Sequence, residues 1–315
     1  MARGHFAKSE SQAASVMKEI QGKLTPEEIE AGRDKDSKIA SQGTVRGYEQ
    51  SLKTCCDYMK EFKLGALRDI TPEQAKSYLE LRATECSQST ITMDRQAIQF
   101  MMQHVTHKLE PNQPLYENAA KDLKSSKDTI LESRGYTPEQ VQRITEHQSE
   151  KHALSTQICH EAGVRVHELF TLRPSGEVAP SPREVHAEKF SHMPEPTKTY
   201  TVEGKGGLIR EVQIPTRLAE QLEARRLDVP MVVVDRNISY TTYYDLAAGH
   251  KFSDAFAKAS IRGLGYSNGA HGLRHSYAQD RYEQLANHME RLDVMKVISQ
   301  ELGHFRPDIT EVYLR

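Results

Sequence analysis

After residue 41 the apolar positions recur at helical intervals. Thr71-Pro72-Glu73-Gln74 has the chemistry of a helix start, because a hydroxyl N-cap precedes proline at the first helical position. The same periodicity predicts helices over 89–107 and 118–127. We therefore expect residues 42–127 to form an all-helical domain. Its first helix, over 44–62, carries apolar residues at three- and four-residue intervals: Val45, Tyr48, Leu52, Cys55, Cys56 and Met59.

Residues 1–41 read as an N-terminal extension and linker. A single helix is predicted over 9–23, with Val16 and Ile20 on one face, and residues 24–28 resemble a second helix start. We expect this segment to be a mobile tail or a docking helix. A DNA-binding arm is the alternative, although acidic and basic residues are equally numerous here.

A polar connector predicts a domain boundary, with a linker over 128–136 and a second domain over 137–315. Thr137 and Pro138 repeat the capping chemistry and predict a new helix. Another helix is predicted over 151–161, ended by Gly163. The next helix is then expected to begin at Val164, which would place Arg165 at a helix start.

Beyond this point one stretch alternates clearly between polar and apolar positions. Residues 198–203 and 208–215 flank a glycine-rich turn, which predicts a β-hairpin with Lys205 at its tip. The run Met231–Val234 predicts a buried strand or core segment. Helices are predicted over 218–226, 252–264, 273–289 and 293–302. The fold class is therefore mainly α with a small antiparallel β-sheet, α+β.

Composition narrows the class of protein. A chain of 315 residues is longer than one core usually holds, and it has neither a run of 18 apolar residues nor a signal-peptide core at its N-terminus. We therefore expect a soluble, cytoplasmic protein. Four cysteines without metal-ligand spacing predict free thiols. The net charge of −2 means that a nucleic-acid partner would need a local basic face.

The chemistry-bearing stretch lies near the C-terminus. His271 and Arg274 share a face if the stretch is helical, and a guanidinium fork beside an imidazole suits a phosphate. Arg165 at a helix start would favour an anion as well, with Glu168 one turn later placed to hold its guanidinium. The plainer interpretation is that these are surface side chains, and that Arg165 and Glu168 form a surface ion pair.

Two further side chains are candidates. Tyr313 lies nine residues after His304, so a turn and a short helix would bring it back, and a phenol can act as a covalent nucleophile. Lys205 would ordinarily be a solvated turn residue, and the alternative is a mobile loop that carries it into a cleft. The surrounding glycines do not form a phosphate-cradling loop, because no Walker lysine-serine pair follows.

The ordered set of these residues resembles the tyrosine recombinase/integrase family of site-specific recombinases. It consists of Arg165 after a Gly-x turn, Lys205 on a glycine-rich hairpin, His271-x-x-Arg274, Leu302-Gly303-His304 and Tyr313. The resemblance covers residues 42–315 and implies a helical core-binding domain and a mixed catalytic domain that form a clamp on DNA. Basic residues of the first domain would then contact phosphates: Lys53, Lys60, Lys63, Arg95, Lys121 and Lys124.

The resemblance also implies catalytic roles. Arg165 and Arg274 would bind the non-bridging oxygens of the scissile phosphate, and Tyr313 would attack phosphorus to give a 3′-phosphotyrosine. Neither metal nor nucleotide cofactor is implied, because the phosphotyrosine keeps the bond energy.

The remaining roles concern protons. His271 would be the general base for the phenol, and Lys205 would protonate the leaving 5′-oxygen. His304 would donate a hydrogen bond to the scissile phosphate.

The implied partners are double-stranded recombination sites in nucleoid DNA, a homotetramer on two duplexes, and possible accessory bending or directionality factors. The N-terminal extension favours a mobile-element integrase. The alternatives are a chromosome or plasmid dimer resolvase, a type IB topoisomerase-like enzyme and a non-catalytic DNA-binding accessory protein. The family usually continues into a tail that docks on a neighbouring protomer, whereas this sequence ends at Arg315. Either the sequence is trimmed or that contact is made differently.

Overall fold

The computed structural model describes residues 7–23, 25, 37–127, 133–204 and 206–315. The chain divides into two compact units, Met1–Ile130 and Leu131–Arg315. The first unit is helical in its described part. Its helices are α1 (Ser9–Ile20), α2 (Gln42–Glu61), α3 (Pro72–Glu85), α4 (Gln88–His104) and the single turn α5 (Ala119–Asp122), with a 3-10 turn at Leu67–Asp69.

Helix α1 belongs to the core of the first unit. Val16 and Ile20, the predicted apolar face, are fully buried together with Leu52 of α2. After the undescribed stretch 26–36, Ile39 forms a parallel β-bridge with Gln21 at the end of α1. The helix start predicted at 24–28 lies, apart from Thr25, outside the described residues.

The helix boundaries of this unit follow their caps. The Thr71 side chain accepts a hydrogen bond from the Gln74 backbone N–H, and Gln74 Oε1 accepts one from the Thr71 N–H.

The helix predicted over 118–127 is wrong, because only the turn α5 forms. Gln88 of α4 binds this stretch instead, donating to the carbonyl of Leu123 at 3.1 Å and accepting from the N–H of Ser125 at 2.9 Å.

The second unit mixes helices with two small antiparallel sheets. Strands β1, β2 and β3 form one sheet in that order, and β4 pairs with β5 in the other. This agrees with the predicted α+β class. The helices are α6 (Pro138–Thr145), α7 (Glu150–Ala162), α8 (Thr216–Glu223), α9 (Gly249–Leu264), α10 (Gly272–Leu285), α11 (Arg291–Glu301) and α12 (Pro307–Thr310), with a 3-10 turn at Glu168–Thr171. The strands are β1 (Arg173–Pro174), β2 (Thr197–Glu203), β3 (Ile209–Pro215), β4 (Arg226–Asp235) and β5 (Ile238–Tyr244).

The predicted hairpin β2–β3 forms, with Tyr200 opposite Val212. Val212 and Ile214 point into the core, and Arg210 occupies the same buried face. A charged residue on the buried side of a strand requires hydrogen-bonding or oppositely charged partners. The partners of Arg210 belong to the candidate site described below.

The prediction that Met231–Val234 is buried is wrong. The run lies in β4, where Val232 is 71 % and Val234 66 % exposed. The strand pairs only with β5 in its two-stranded sheet, with Met231 opposite Thr242. An uninterrupted apolar run usually marks a strand covered on both faces, but here no second layer packs over it within the described residues.

Two general expectations concern thiols and membranes. All four cysteines are free, and Cys55, Cys56 and Cys159 are buried. Among the residues that the structure describes, no helix is long and apolar enough to span a bilayer.

Candidate active site

The short helix α12 brings Tyr313 back to the N-terminal end of α10. Its backbone N–H donates to the carbonyl of Thr310 at 2.9 Å, which continues the turn begun by α12. The side chain is only 6 % exposed. Its phenol oxygen lies 3.3 Å from His271 Nε2 and 3.3 Å from His304 Nε2. The predicted return through a short helix therefore places the phenol between two imidazoles.

Arg274 lies on the first turn of α10 and is almost completely buried. Its Nη1 donates to the carbonyl of Gly163, and its Nη2 donates to the carbonyl of Leu302 at 2.9 Å. Nη2 also lies 3.3 Å from His304 Nε2. The pKa of Arg274 is lowered to about 10, mainly by burial and then by the charge of the nearby Arg165. The guanidinium therefore stays cationic at neutral pH. The guanidinium is a fixed positive charge beside the phenol.

A buried carboxylate links two further arginines. Glu168 Oε1 accepts from Arg165 Nη1 at 2.7 Å, and Glu168 Oε2 accepts from Arg210 Nη2 at 2.8 Å. Burial raises the pKa of Glu168, but Arg210, Arg274 and Arg165 outweigh that effect and bring the pKa to about 2. Glu168 is therefore ionised and orients both guanidinium groups, as predicted for Arg165.

The prediction that Arg165 begins a helix is wrong. Helix α7 ends at Ala162, Gly163 has a positive φ of 59°, and the following 3-10 turn begins only at Glu168. The backbone N–H of Arg165 donates to Glu168 Oε2 at 2.7 Å, so it is not available to an external anion. The guanidinium itself, with 30 % of the side chain exposed, is the group that can meet a ligand.

The histidines beside the phenol are uncharged near neutral pH. The pKa of His271 is lowered to about 4, mainly by loss of hydration and then by the charges of Arg274 and His275. His271 is the N-cap residue of α10, and its side chain nevertheless keeps substantial exposure. Burial and the charges of Arg274 and Arg165 lower the pKa of His304 to about 3. A neutral imidazole can accept a proton, so both rings are chemically able to act as bases.

A second buried network fixes the backbone that leads to His304. Glu301 accepts from Arg281 Nε and Nη2, both at 2.9 Å, and from the hydroxyl of Tyr277 at 2.9 Å. Its carbonyl accepts from Arg210 Nη1 at 2.7 Å. Gly303 follows with a φ of 74°, and a Cβ there would lie 2.6 Å from Arg210 Cδ. Only glycine fits this turn, which presents His304 to the site.

Lys205 lies outside the described residues. The preceding residue, Gly204, is the last described one on that side of the turn. A Cβ on Gly204 would lie 3.2 Å from Glu168 Oε1 and 4.0 Å from Arg165 Nη1. The described part of the hairpin, which ends at Gly204, therefore reaches Glu168 and Arg165.

The candidate phosphate-contact residues of the first unit fall into two groups. Lys53 pairs with Glu10 at 3.2 Å, Lys60 donates to the carbonyl of Ala7 at 2.6 Å, and Arg95 donates to Gln99 at 3.1 Å. These three thus have partners within the unit. The other three are exposed: Lys63, Lys121 and Lys124.

Sequence reasoning missed several residues of the site. Arg210 carried a signal, since it alternates with Val212 and Ile214 on one face of β3. His275 and Gln279 carried a weaker one, because they follow His271 at intervals of four on the same helix. Arg281 and Glu301 are 20 residues apart, and nothing in their spacing predicts their ion pair.

No protein-family model and no curated protein matches this sequence. Solved structures do match over nearly the whole chain. The XerH site-specific recombinase bound to difH substrate is 15 % identical with a TM-score of 0.54, over 98 % of this chain and 91 % of that one. The Tn1549 transposon integrase in complex with transposon right end DNA is 13 % identical with a TM-score of 0.52, over 98 % and 95 %. A lambda integrase dimer bound to a COC′ core site is 17 % identical with a TM-score of 0.51, over 97 % and 76 %. Together with the ordered set of polar residues, these likenesses show that the chain has the fold of the tyrosine recombinases.

Proposed function

We propose that this chain is a site-specific DNA recombinase of the integrase type, which cleaves and rejoins strands through a 3′-phosphotyrosyl intermediate. The observation that carries the proposal is the position of the Tyr313 hydroxyl, 3.3 Å from both His271 Nε2 and His304 Nε2, beside the buried cation Arg274. A DNA-binding accessory protein has no use for a phenol held between two neutral imidazoles.

In the cleavage step the Tyr313 oxygen attacks phosphorus and the bond from phosphorus to the 5′-oxygen breaks. Arg165 and Arg274 stabilise the negative charge that develops on the non-bridging oxygens. Glu168 supports both, because it binds Arg165 directly and its charge raises the pKa of Arg274 against the effect of burial. The positive charge is thus in place before the phosphate arrives.

Proton transfer completes the step. His271 takes the phenolic proton, Lys205 gives a proton to the leaving 5′-oxygen, and His304 donates a hydrogen bond to the phosphate. Because the phosphotyrosine conserves the bond energy, the 5′-hydroxyl of a partner strand can reverse the step without a nucleotide cofactor.

The proposed biological setting is a pair of double-stranded DNA sites. DNA-bound neighbours such as the XerH and Tn1549 complexes support a double-stranded DNA partner. Exchange between two duplexes requires four protomers, so we propose a homotetramer on paired sites. The likeness to a transposon integrase supports integration or excision of a mobile element in the cytoplasm.

The test is covalent capture. Nicked duplexes made from the DNA that flanks the gene are incubated with the protein in EDTA, and an adduct that survives SDS is sought. We expect an adduct with the wild type and with the control Tyr282→Phe, and none with Tyr313→Phe. Adduct formation by Tyr313→Phe would overturn the assignment. Sequencing the joined products then separates recombination, which exchanges partners, from topoisomerase-like relaxation of one duplex.

A further inference from the structure

Three polar residues of α10 form a stripe that faces the segment carrying Tyr313. His271, His275 and Gln279 are spaced four apart, so they lie along one side of the helix. His271 at the N-cap meets the phenol oxygen. The other two have no part in the chemistry proposed above, yet both contact the same tyrosine.

His275 contacts the ring and the backbone of Tyr313. The two ring centroids are 4.7 Å apart at an interplanar angle of 38°. The Tyr313 backbone also lies near enough to the imidazole to raise its pKa, against the larger effect of burial. His275 is 4 % exposed, and its Nδ1 is buried without a partner among the described residues. A histidine whose second nitrogen is unsatisfied is poorly explained by core packing alone.

Gln279 continues the contact along the backbone. Its Nε2 lies 3.2 Å from the carbonyl of Tyr313, 2.8 Å from the carbonyl of Arg315 and 3.0 Å from Ser133 Oγ. An amide nitrogen has two hydrogens, so it serves two of these acceptors at a time. The carbonyls on both sides of Leu314 are thereby held against α10.

Apart from these contacts, the segment packs through Ile309, Tyr313 and Leu314 against an apolar cluster of α10 and α11, which does not fix the direction of a polar group. Helix α12 is a single turn, and the hydroxyl of Thr310 reaches the carbonyl of Met295 at 3.5 Å. A short turn of this kind does not by itself fix a side chain within the fraction of an ångström that in-line attack demands. We propose that His275 and Gln279 are positioning residues, which hold Tyr313 against α10 of its own chain so that its hydroxyl stays between His271 and His304.

This inference rests on the proposed function for its kinetic test, but its structural content is measurable without DNA. The variants are His275→Phe, which keeps a ring and loses both ring nitrogens, and Gln279→Met, which keeps the length and loses the donor. Gln279→Lys restores N–H donors, and Gln142→Met, the same replacement at an exposed glutamine of α6, is the matched control.

The first measurement is amide hydrogen exchange of the free protein. We expect His275→Phe and Gln279→Met to speed exchange in residues 311–315 about tenfold, the scale of one lost hydrogen bond, while exchange elsewhere and the melting temperature stay unchanged. A merely structural role would lower the melting temperature and loosen α10 as well. Unchanged exchange in 311–315 would overturn the proposal, whatever the protein does to DNA.

The second measurement is the rate of adduct formation at saturating nicked substrate, together with the Kd for DNA. We expect each variant to cleave about tenfold more slowly with an unchanged Kd, and Gln279→Lys and Gln142→Met to cleave within about threefold of the wild type. Wild-type rates in the double variant His275→Phe/Gln279→Met would overturn the proposal. If the wild type itself formed no adduct, the proposed function would fail, and the exchange result would still decide whether these residues hold the tyrosine.

Discussion

The carbonyl oxygen of Gly163 accepts a hydrogen bond from the buried guanidinium of Arg274. The same oxygen lies 3.5 Å from Arg210 Nη2. Gly163 can place its carbonyl there because its φ is 59°, in the left-handed region that glycine adopts without strain. A backbone turn at the end of α7 therefore sets the position of two cations of the candidate site.

Substituting Gly163→Ala should damage both stability and activity. The new Cβ would lie 2.6 Å from Tyr277 Cδ1, and the left-handed backbone would be strained. We expect a loss of about 2 kcal/mol or more in the free energy of unfolding, measured by urea denaturation. Gly265→Ala is the control, because Gly265 also has a positive φ, of 82°, but open space around it. An equal loss in both variants would mean that strain alone, and not the contact with Tyr277, sets the cost.

Arg274→Lys and Arg165→Lys keep the charge but lose the planar fork of donors. Lysine cannot donate to the carbonyls of Gly163 and Leu302 and still meet a phosphate. We expect cleavage to fall by about two orders of magnitude, the scale for one lost transition-state donor, with a much smaller change in DNA affinity. Arg183→Lys, outside this cluster, should cleave normally. A normal single-turnover rate for Arg274→Lys would remove Arg274 from the catalytic set.

Lys205→Ala tests the general acid. A 5′-alkoxide is a poor leaving group at neutral pH, whereas a thiolate leaves without a proton. We therefore expect Lys205→Ala to cleave ordinary DNA slowly and to recover most of its rate on DNA with sulfur at the scissile 5′-bridging position. Tyr313→Phe should stay inactive on both substrates. Without rescue by sulfur, Lys205 would be a phosphate contact or a turn residue.

The pKa of His275 gives a prediction for stability in acid. Burial, together with Arg134 and Arg274, lowers this pKa to about 4, against about 6.5 in an unfolded chain. Above pH 6.5 both states are neutral, and below pH 4 both are protonated. Between these limits the unfolded state binds more protons, so the free energy of unfolding falls as the pH drops, by up to about 1.4 kcal/mol per pH unit for this group.

His275→Phe removes that proton-binding difference. The variant should match the wild type at pH 7.5 and exceed it in stability at pH 4.5, as measured by urea denaturation. The control Asn287→Ser changes an exposed residue near the end of α10, keeps every titrating group and should follow the wild type at both pH values. If His275→Phe gained nothing in acid, the histidine would be protonated in the folded protein.

Local chemistry explains which parts of the fold were predictable. Helices α3 and α6 begin where Thr71 and Thr137 form capping boxes, and each signal is contained within four residues. The strands β1 and β5 were not predicted, and β4 was wrongly expected to be buried, because pairing and burial depend on residues elsewhere in the chain. Val232 is opposite Thr241, and no local pattern predicts that this pairing leaves the valine exposed.

Some residues of the candidate site could likewise be predicted from the sequence, and others could not. The order of Arg165, His271, Arg274, His304 and Tyr313 was enough to predict that they meet, because each chemical role limits the residue type. Arg210 and Glu301 were not predicted, since a buried ion needs partners and these come from distant elements. Their contribution became visible only through hydrogen bonds to Glu168 and Arg281.

The valine-rich strand β4 has a consequence for the protein in concentrated solution. Met231–Val234 combines high strand propensity with no charge and is exposed at the edge of a two-stranded sheet, the composition of a segment that pairs between chains. The exposed Asp228 precedes it, and a charge so placed keeps such segments apart by repulsion. Salt screens that repulsion over about 8 Å at physiological ionic strength and over shorter distances above it. We therefore expect turbidity to rise with added salt, and more steeply when Asp228 is replaced by asparagine.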